Sequence, residues 1–158
     1  MGDANGAGPE ILMRAWKEKR LKSDFMVVGD YSVLHFCNMK MNLGIPLSRI
    51  NEPDDFKKGY LNVLDLDLLR EEDIGIGKIS EKAGLASLKY VETASRLALN
   101  KSVSSVVTLP VNKEAVRKTH PDFSGHTGYI ASLCNTEHYT MMLISDKLTV
   151  SHVSTHVS

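Results

Sequence analysis

Three glycine-flanked or histidine-bearing stretches are where this 158-residue chain has side chains that could do chemistry. The first is Gly2-Asp3-Ala4-Asn5-Gly6-Ala7-Gly8-Pro9-Glu10. Its glycines allow tight backbone turns, and Pro9 suits a first helical position, where its missing N–H costs nothing. Free N–H groups at a helix start can receive an anion such as phosphate. The stretch is not a GxGxxG fingerprint, no strand precedes it in the chain, and a tight loop entering a helix would read the same way. The second runs from Leu109-Pro110-Val111-Asn112-Lys113 to Ser124-Gly125-His126-Thr127-Gly128. Lys113 could offer a charge, His126 and Thr127 could hydrogen-bond an oxyanion, and Gly125 and Gly128 would let the backbone approach closely. The plain alternative is a solvated lysine, a loop histidine and glycines that only make turns. The third is His152-Val153-Ser154-Thr155-His156. On a strand, alternation puts His152, Ser154 and His156 on one face. Residues four apart then lie about 13 Å from each other, too far to share one ion. A structural zinc needs about four ligands, and no matching Cys/His cluster occurs elsewhere. His35, His120 and His138 have no partner pattern, and no Ser-His-Asp or HExxH arrangement can be read.

These stretches must be held by the elements around them. Pro9 to Arg20 has helical spacing, with Ile11, Leu12, Ala15 and Trp16 on one apolar face. Phe25 to Val28 reads as a short buried strand ended by Gly29-Asp30. Ser32 to Leu43 reads as a helix stopped by Gly44 and Pro46. Leu61 to Leu66 is a further strand. Ser80 to Asn100 is the longest helical pattern, with Ala83, Leu85, Leu88, Val91, Ala94, Leu97 and Ala98 as its stripe. The β-branched run Val103 to Leu109 is expected to be a strand ending at Pro110. A short helix is expected at Lys113 to Lys118 and another at Tyr129 to Leu133. Met141 to Ile144 and Leu148 to Val153 are expected strands around Ser145-Asp146-Lys147. The alternation predicts an α/β layered fold with a largely parallel sheet. Ligands bind beyond the carboxyl ends of such strands, where the second stretch falls.

Composition narrows the function classes. Hydrophobic residues at 42% and charged residues at 24% are ordinary globular usage, which excludes disorder. Nineteen Lys+Arg balance nineteen Asp+Glu, so a nucleic-acid reader with a basic excess is disfavoured, and no basic stripe is present. No apolar run approaches the roughly 18 residues of a membrane span and no signal peptide is evident, so a cytoplasmic protein without a membrane partner is expected. Cys37 and Cys134 are too few for a disulfide framework and are expected to be buried thiols. The seven methionines are expected in the core.

Taken together, the stretches resemble a known family. Met1-Gly2-Asp3-Ala4-Asn5-Gly6-Ala7-Gly8-Pro9-Glu10-Ile11 resembles the MGDPAGIGPEI opening of the 4-hydroxythreonine-4-phosphate dehydrogenase family. Pro110-Val111-Asn112-Lys113-Glu114-Ala115 resembles its Pro-(Ile/Val/Leu)-Asn-Lys-Glu-Ala segment. Ser124-Gly125-His126-Thr127 resembles its GHT motif, and Ser154-Thr155-His156 its (Thr/Ser)-Thr-His motif. Gly77-Lys78-Ile79-Ser80 with Ala83-Gly84 resembles its GK-x-S-x-x-AG segment. The matches occur in family order along the chain. Ala4, Asn5 and Ala7 replace the family's Pro, Ala and Ile, which alters loop stiffness and packing rather than charge.

The resemblance implies an isocitrate/isopropylmalate-dehydrogenase-like α/β fold, with residues 1–158 as a single α/β segment forming the amino-terminal half of a longer two-domain subunit. It implies a homodimeric NAD-dependent dehydrogenase that oxidises a small phosphorylated hydroxy acid, with loss of CO2. In the family a divalent metal ion (zinc, magnesium or cobalt) held by three histidines polarises the reacting oxygen. Carried over by motif, His126 and Thr127 become substrate contacts and His156 one metal ligand. No catalytic residue is assigned, and nothing is carried onto Lys113 or His152. Two substrates compete: 4-phosphohydroxy-L-threonine, an intermediate on the way to pyridoxine, and D-threonate or D-erythronate 4-phosphate. Asp146-Lys147-Leu148 and Ser151 to His156 resemble the sugar-acid branch more. The alternative to an enzyme is a non-catalytic phosphate-binding or dimerisation module derived from the family.

Overall fold

The apolar run at Leu61–Asp65 becomes the central strand of a three-stranded parallel sheet. The structure is a computed structural model that describes residues 1–152. In chain order, α1 (Gly8–Lys17) leads to β1 (Met26–Gly29), α2 (Tyr31–Lys40), β2 (Leu47–Ile50) and β3 (Leu61–Asp65). Then come α3 (Glu81–Leu99), α4 (Lys113–Arg117), α5 (His126–Leu133), β4 (Met142–Ile144) and β5 (Thr149–Ser151). The sheet order is β1-β3-β2. β1 runs parallel to β3 from Met26↔Asn62 to Gly29↔Asp65, and β2 from Leu47↔Leu61 to Ile50↔Leu64. Leu61, Asn62, Val63 and Leu64 are all buried, as expected when helices cover a parallel sheet. Asn62 tolerates this because its amide meets Lys57 N–H, Lys57 C=O and Tyr60 C=O at 2.9 to 3.1 Å.

Local chemistry explains the helices. Ser80 caps α3 by accepting from Ala83 N–H at 3.3 Å, with Glu81 in the first turn and Arg96 in the last. Glu92 sits between Lys89 and Arg96 one turn apart. Asn112 caps α4 by accepting from Ala115 N–H at 3.1 Å. α3 packs on β1 and α4, while α2 packs on β2 and β3. At the α3–α4 crossing, a Cβ on Gly84 would lie 2.5 Å from the Ala115 carbonyl. Only glycine lets the two backbones meet there.

Several expectations need correction. Val103 to Leu109 is not a strand: among the described residues it joins no ladder, and Val107 is 88% exposed. β propensity cannot make a strand where no partner edge is in place. β2 was not expected, because Leu47-Ser48-Arg49-Ile50 is too polar and too short to signal a strand. β5 is shorter than expected, and Val153 lies outside the described residues. Ile11 and Leu85 are exposed rather than packed, whereas Leu12, Met13 and Ala86 are buried. Met39, Met141 and Met142 are exposed, so the methionines are not uniformly core. Cys37 is buried but Cys134 is exposed, since the latter sits at the open end of α5. No helix is long and apolar enough to cross a membrane among the described residues.

Candidate functional site

The first and second stretches, far apart in sequence, are in direct contact. Asp3 N–H donates to Pro110 C=O at 3.0 Å. Gly2 has φ +81°, and a Cβ there would meet Pro110 O at 2.5 Å, so both the left-handed backbone and the close approach require glycine. A Cβ on Gly8 would lie 2.7 Å from Met1 O. Met1 in turn covers Gly29, whose added Cβ would be 2.7 Å from Met1 Cβ. The first loop therefore sits at the carboxyl end of β1, the ligand end of a parallel sheet.

Residues 75–80 hold this loop from behind. Asn5 Oδ1 accepts from Gly75 N–H at 2.9 Å, Asn5 Nδ2 donates to Lys78 C=O at 3.2 Å, and Gly77 N–H donates to Asn5 C=O at 2.8 Å. Asn5 is thus a clamp, a role that an alanine at this position could not fill. The same segment runs into Ser80, the α3 cap, and on to Gly84 at the α4 crossing. One stretch of chain fixes both loops.

Asp30, one residue beyond β1, is fully buried. Its carboxylate accepts from Leu68 N–H at 3.0 Å, Leu69 N–H at 2.8 Å and Tyr90 O–H at 2.6 Å. Burial pushes its pKa up, with the hydrogen bonds from Tyr90, Leu68 and Leu69 opposing. Burial, with Asp30 beside it, pushes Tyr90 up as well. The sequence reading used Asp30 only to end a strand; a lone carboxylate directly after a buried apolar run was the available signal. Burial also raises Asp3, against the hydrogen bond from Asn5 N–H.

The histidine of the second stretch begins α5. Gly125, at φ +149°, precedes it and supplies no side-chain cap, so the first N–H groups of the helix are free of one. Lys113, the first residue of α4, reaches over: a Cβ on Gly125 would lie 3.8 Å from Lys113 Nζ. Lys113 is exposed and in no ion pair among the described residues. His126 Nε2 is buried and has no hydrogen-bond partner among the described residues. Burial lowers the His126 pKa, with Lys113 a lesser cause. Thr127 is exposed beside it. Phe123 anchors the loop from beneath, buried, accepting from Arg117 Nε at 2.9 Å and set edge-on to Tyr129. A free cation, an unpaired imidazole nitrogen, a hydroxyl and an uncapped helix start fit an anionic oxygen ligand.

The third stretch is only partly in view. His152 N–H donates to Met141 C=O at 3.0 Å and its carbonyl accepts from Thr140 Oγ1 at 2.7 Å, which are hairpin-edge roles. Ser154, Thr155 and His156 lie outside the described residues. Among the described residues no group of three or more His, Cys, Asp or Glu side chains could hold a metal ion. His35 stacks on Tyr31, and His120 bonds Thr119; neither approaches the site.

Fold and site together define a parallel α/β protein with two loops in contact at one end of the sheet, the second leading to His126, Thr127 and Lys113. The profile of the pyridoxal phosphate biosynthetic protein PdxA family matches residues 21–158, and the chain belongs to that family. The D-threonate 4-phosphate dehydrogenase of Cupriavidus necator is 34% identical over 161 residues, covering 99% of this chain and 48% of that protein. The 4-hydroxythreonine-4-phosphate dehydrogenase of Trichlorobacter lovleyi is 35% identical, covering 99% of this chain and 48% of that protein. The crystal structure of a 4-hydroxythreonine-4-phosphate dehydrogenase from Burkholderia phymatum superposes with a TM-score of 0.91 at 30% identity, covering 100% of this chain and 49% of that one. The chain spans about half the length of the relatives it matches.

Proposed function

We propose that this chain contributes the phosphorylated-hydroxy-acid site of an NAD- and divalent-metal-dependent dehydrogenase, which oxidises its substrate's secondary hydroxyl with loss of CO2. The observation that carries this is the buried Nε2 of His126, without a hydrogen-bond partner among the described residues, beside Thr127 and the Lys113 ammonium. A buried imidazole nitrogen without a partner is costly unless a ligand supplies one. The dehydrogenase names of relatives covering nearly all of this chain support the reading. His126 and Thr127 orient the substrate through its oxygens. The described residues build no metal site by themselves, so His156 is proposed as one ligand of a set completed elsewhere. When bound, NAD supplies the hydride acceptor and the metal polarises the reacting oxygen. The active form is proposed to be a cytoplasmic homodimer.

The relatives carry both substrate names at nearly equal identity. The Asp146-Lys147-Leu148 and Ser151–His156 segments favour D-threonate or D-erythronate 4-phosphate over 4-phosphohydroxy-L-threonine. The test is NADH formation by the protein supplied with metal, NAD and each acid in turn. It is paired with calorimetric titration of each acid into the protein and into His126→Ala. Turnover of either acid, reduced in His126→Ala, supports the proposal, and the faster acid names the substrate. Binding of an acid without NADH formation moves the assignment to a phosphate-binding module. Neither binding nor turnover overturns the site.

A further inference from the structure

Lys113 and His126 stand on two helices too short to fix each other's position. α4 has five residues and α5 eight, lengths at which a helix is marginal by itself, and both pack on α3. Leu88 of α3, Val116 of α4 and Phe123 of the joining loop share one buried apolar cluster, with Tyr129 of α5 against it. Apolar contact is non-directional, so it holds the two helices down without setting the angle between them. That angle falls to the connecting residues, 118–125.

The first part of this loop is tied to α4 through its backbone. Thr119 N–H and His120 N–H donate to Val116 C=O at 3.1 and 2.9 Å, and Phe123 N–H donates to His120 C=O at 3.0 Å. Beyond Phe123 the backbone ties stop: among the described residues neither Ser124 N–H nor Gly125 N–H donates a hydrogen bond. Gly125, at φ +149°, has a conformation that only glycine adopts readily, and is the natural pivot. His126 Nε2 has no partner among the described residues, so its placement comes from the backbone that carries it. The last restraint before the pivot is a side chain: Arg117 Nε donates to Phe123 C=O at 2.9 Å. Arg117 lies one turn after Lys113 on the same face of α4, and makes no ion pair among the described residues. A guanidinium donor gives a stronger bond than a neutral one. We infer that Arg117 is a positioning residue, which by holding the Phe123 carbonyl sets the His126 imidazole against Lys113. One face of α4 then supplies both the ammonium and the tie that brings the imidazole to it. The inference rests on the reading of His126 and Lys113 as the substrate site.

The test compares Arg117→Met with Arg117→Gln. Both remove the charge, but glutamine keeps an N–H donor the same number of bonds from the backbone as Arg117 Nε, and methionine has none. The first readout is the imidazole NMR midpoint of His126, which needs no ligand. Loosening the loop wets the imidazole, so Arg117→Met should raise the midpoint by about half a pH unit towards 6.5. Arg117→Gln should stay nearer the parent, and amide exchange in β3 should be the same in all three proteins. The second readout is calorimetric titration of D-threonate 4-phosphate, whose affinity should fall about tenfold in Arg117→Met and less in Arg117→Gln. The inference is overturned if both variants keep the parent midpoint, or if both shift alike, since the charge and not the tie would then be responsible. Faster exchange throughout β3 in Arg117→Met also overturns it, because Arg117 would then be holding the fold at large. If the parent itself does not bind the acid, the functional reading fails, and the His126 midpoints still decide what Arg117 holds.

Discussion

The parallel sheet and the β4–β5 hairpin are built from similar sequence and have opposite fates. Leu61-Asn62-Val63-Leu64 is buried throughout. Met142-Leu143-Ile144 pairs with Thr149-Val150-Ser151 in an antiparallel register, yet every one of these residues is exposed, Ile144 to 73%. The difference is cover. The sheet has α2 and α3 packed on it, and its polar intrusions, Asn62 and Asp30, are fully hydrogen-bonded. The hairpin has its turn, where Ser145 bonds the backbone of Leu148, and little else. An isolated two-stranded ribbon is marginal in water. Its stability comes from whatever packs on it, whereas the sheet carries its own.

That contrast can be broken most severely at Asp30. Asp30→Ala leaves Leu68 N–H, Leu69 N–H and the Tyr90 hydroxyl without their acceptor, so urea unfolding should show a loss on the order of 4 kcal/mol. A loss below 1 kcal/mol would mean that the sheet does not depend on its buried carboxylate. Gly84→Ala comes next. Its Cβ would press on the Ala115 backbone, and overpacking of this kind costs about 1–3 kcal/mol. A thermal midpoint equal to the parent's would show that α3 and α4 can part cheaply. Asn5→Ala, which removes the bonds to Gly75 and Lys78, should cost about 1–2 kcal/mol and speed amide exchange at Gly75 without altering β3.

A pH experiment probes the site rather than the sheet. Burial depresses the folded-state pKa of His126 below the ordinary 6.5. The unfolded chain therefore takes up the proton first as pH falls. Stability from this group is complete above pH 6.5, and is lost as pH drops from there towards the folded-state value. An imidazole NMR titration should place the His126 midpoint below the ordinary 6.5, and a midpoint at or above it would refute the burial. The smallest effect belongs to the hairpin. Ile144→Lys should shift unfolding by less than about 0.5 kcal/mol, because nothing apolar is lost from cover. A larger loss would show that the hairpin is covered in solution, erasing the contrast with the sheet.

Much of the arrangement was legible in the residues. Ser80 and Asn112 are capping residues at the points where α3 and α4 begin, and Gly44 and Pro46 follow the end of α2. The motif pairs that mark the family fall on turns and helix starts, where backbone demands select residue types directly. His126 and Thr127 were assigned through the resemblance of Ser124–Thr127 to the family's GHT motif, and the structure puts them at one helix start with Lys113 reaching over. Asp30 was passed over because its partners come from residues 68–69 and 90, none of which local spacing can connect. The clamp role of Asn5 was hidden for the same reason.

The sequence by itself determined where the helices lie to within about a turn and which loops carry glycines and polar side chains, because capping, glycine geometry and helical periodicity act within a few residues. Only the tertiary structure decided which apolar runs became covered strands. Leu61–Asp65 found two partner edges and helices to pack on it. Among the described residues, Val103–Leu109 found no edge, and Met142–Ile144 found one edge and no cover. Strand formation and burial depend on what lies opposite, and that is a property of the assembled chain.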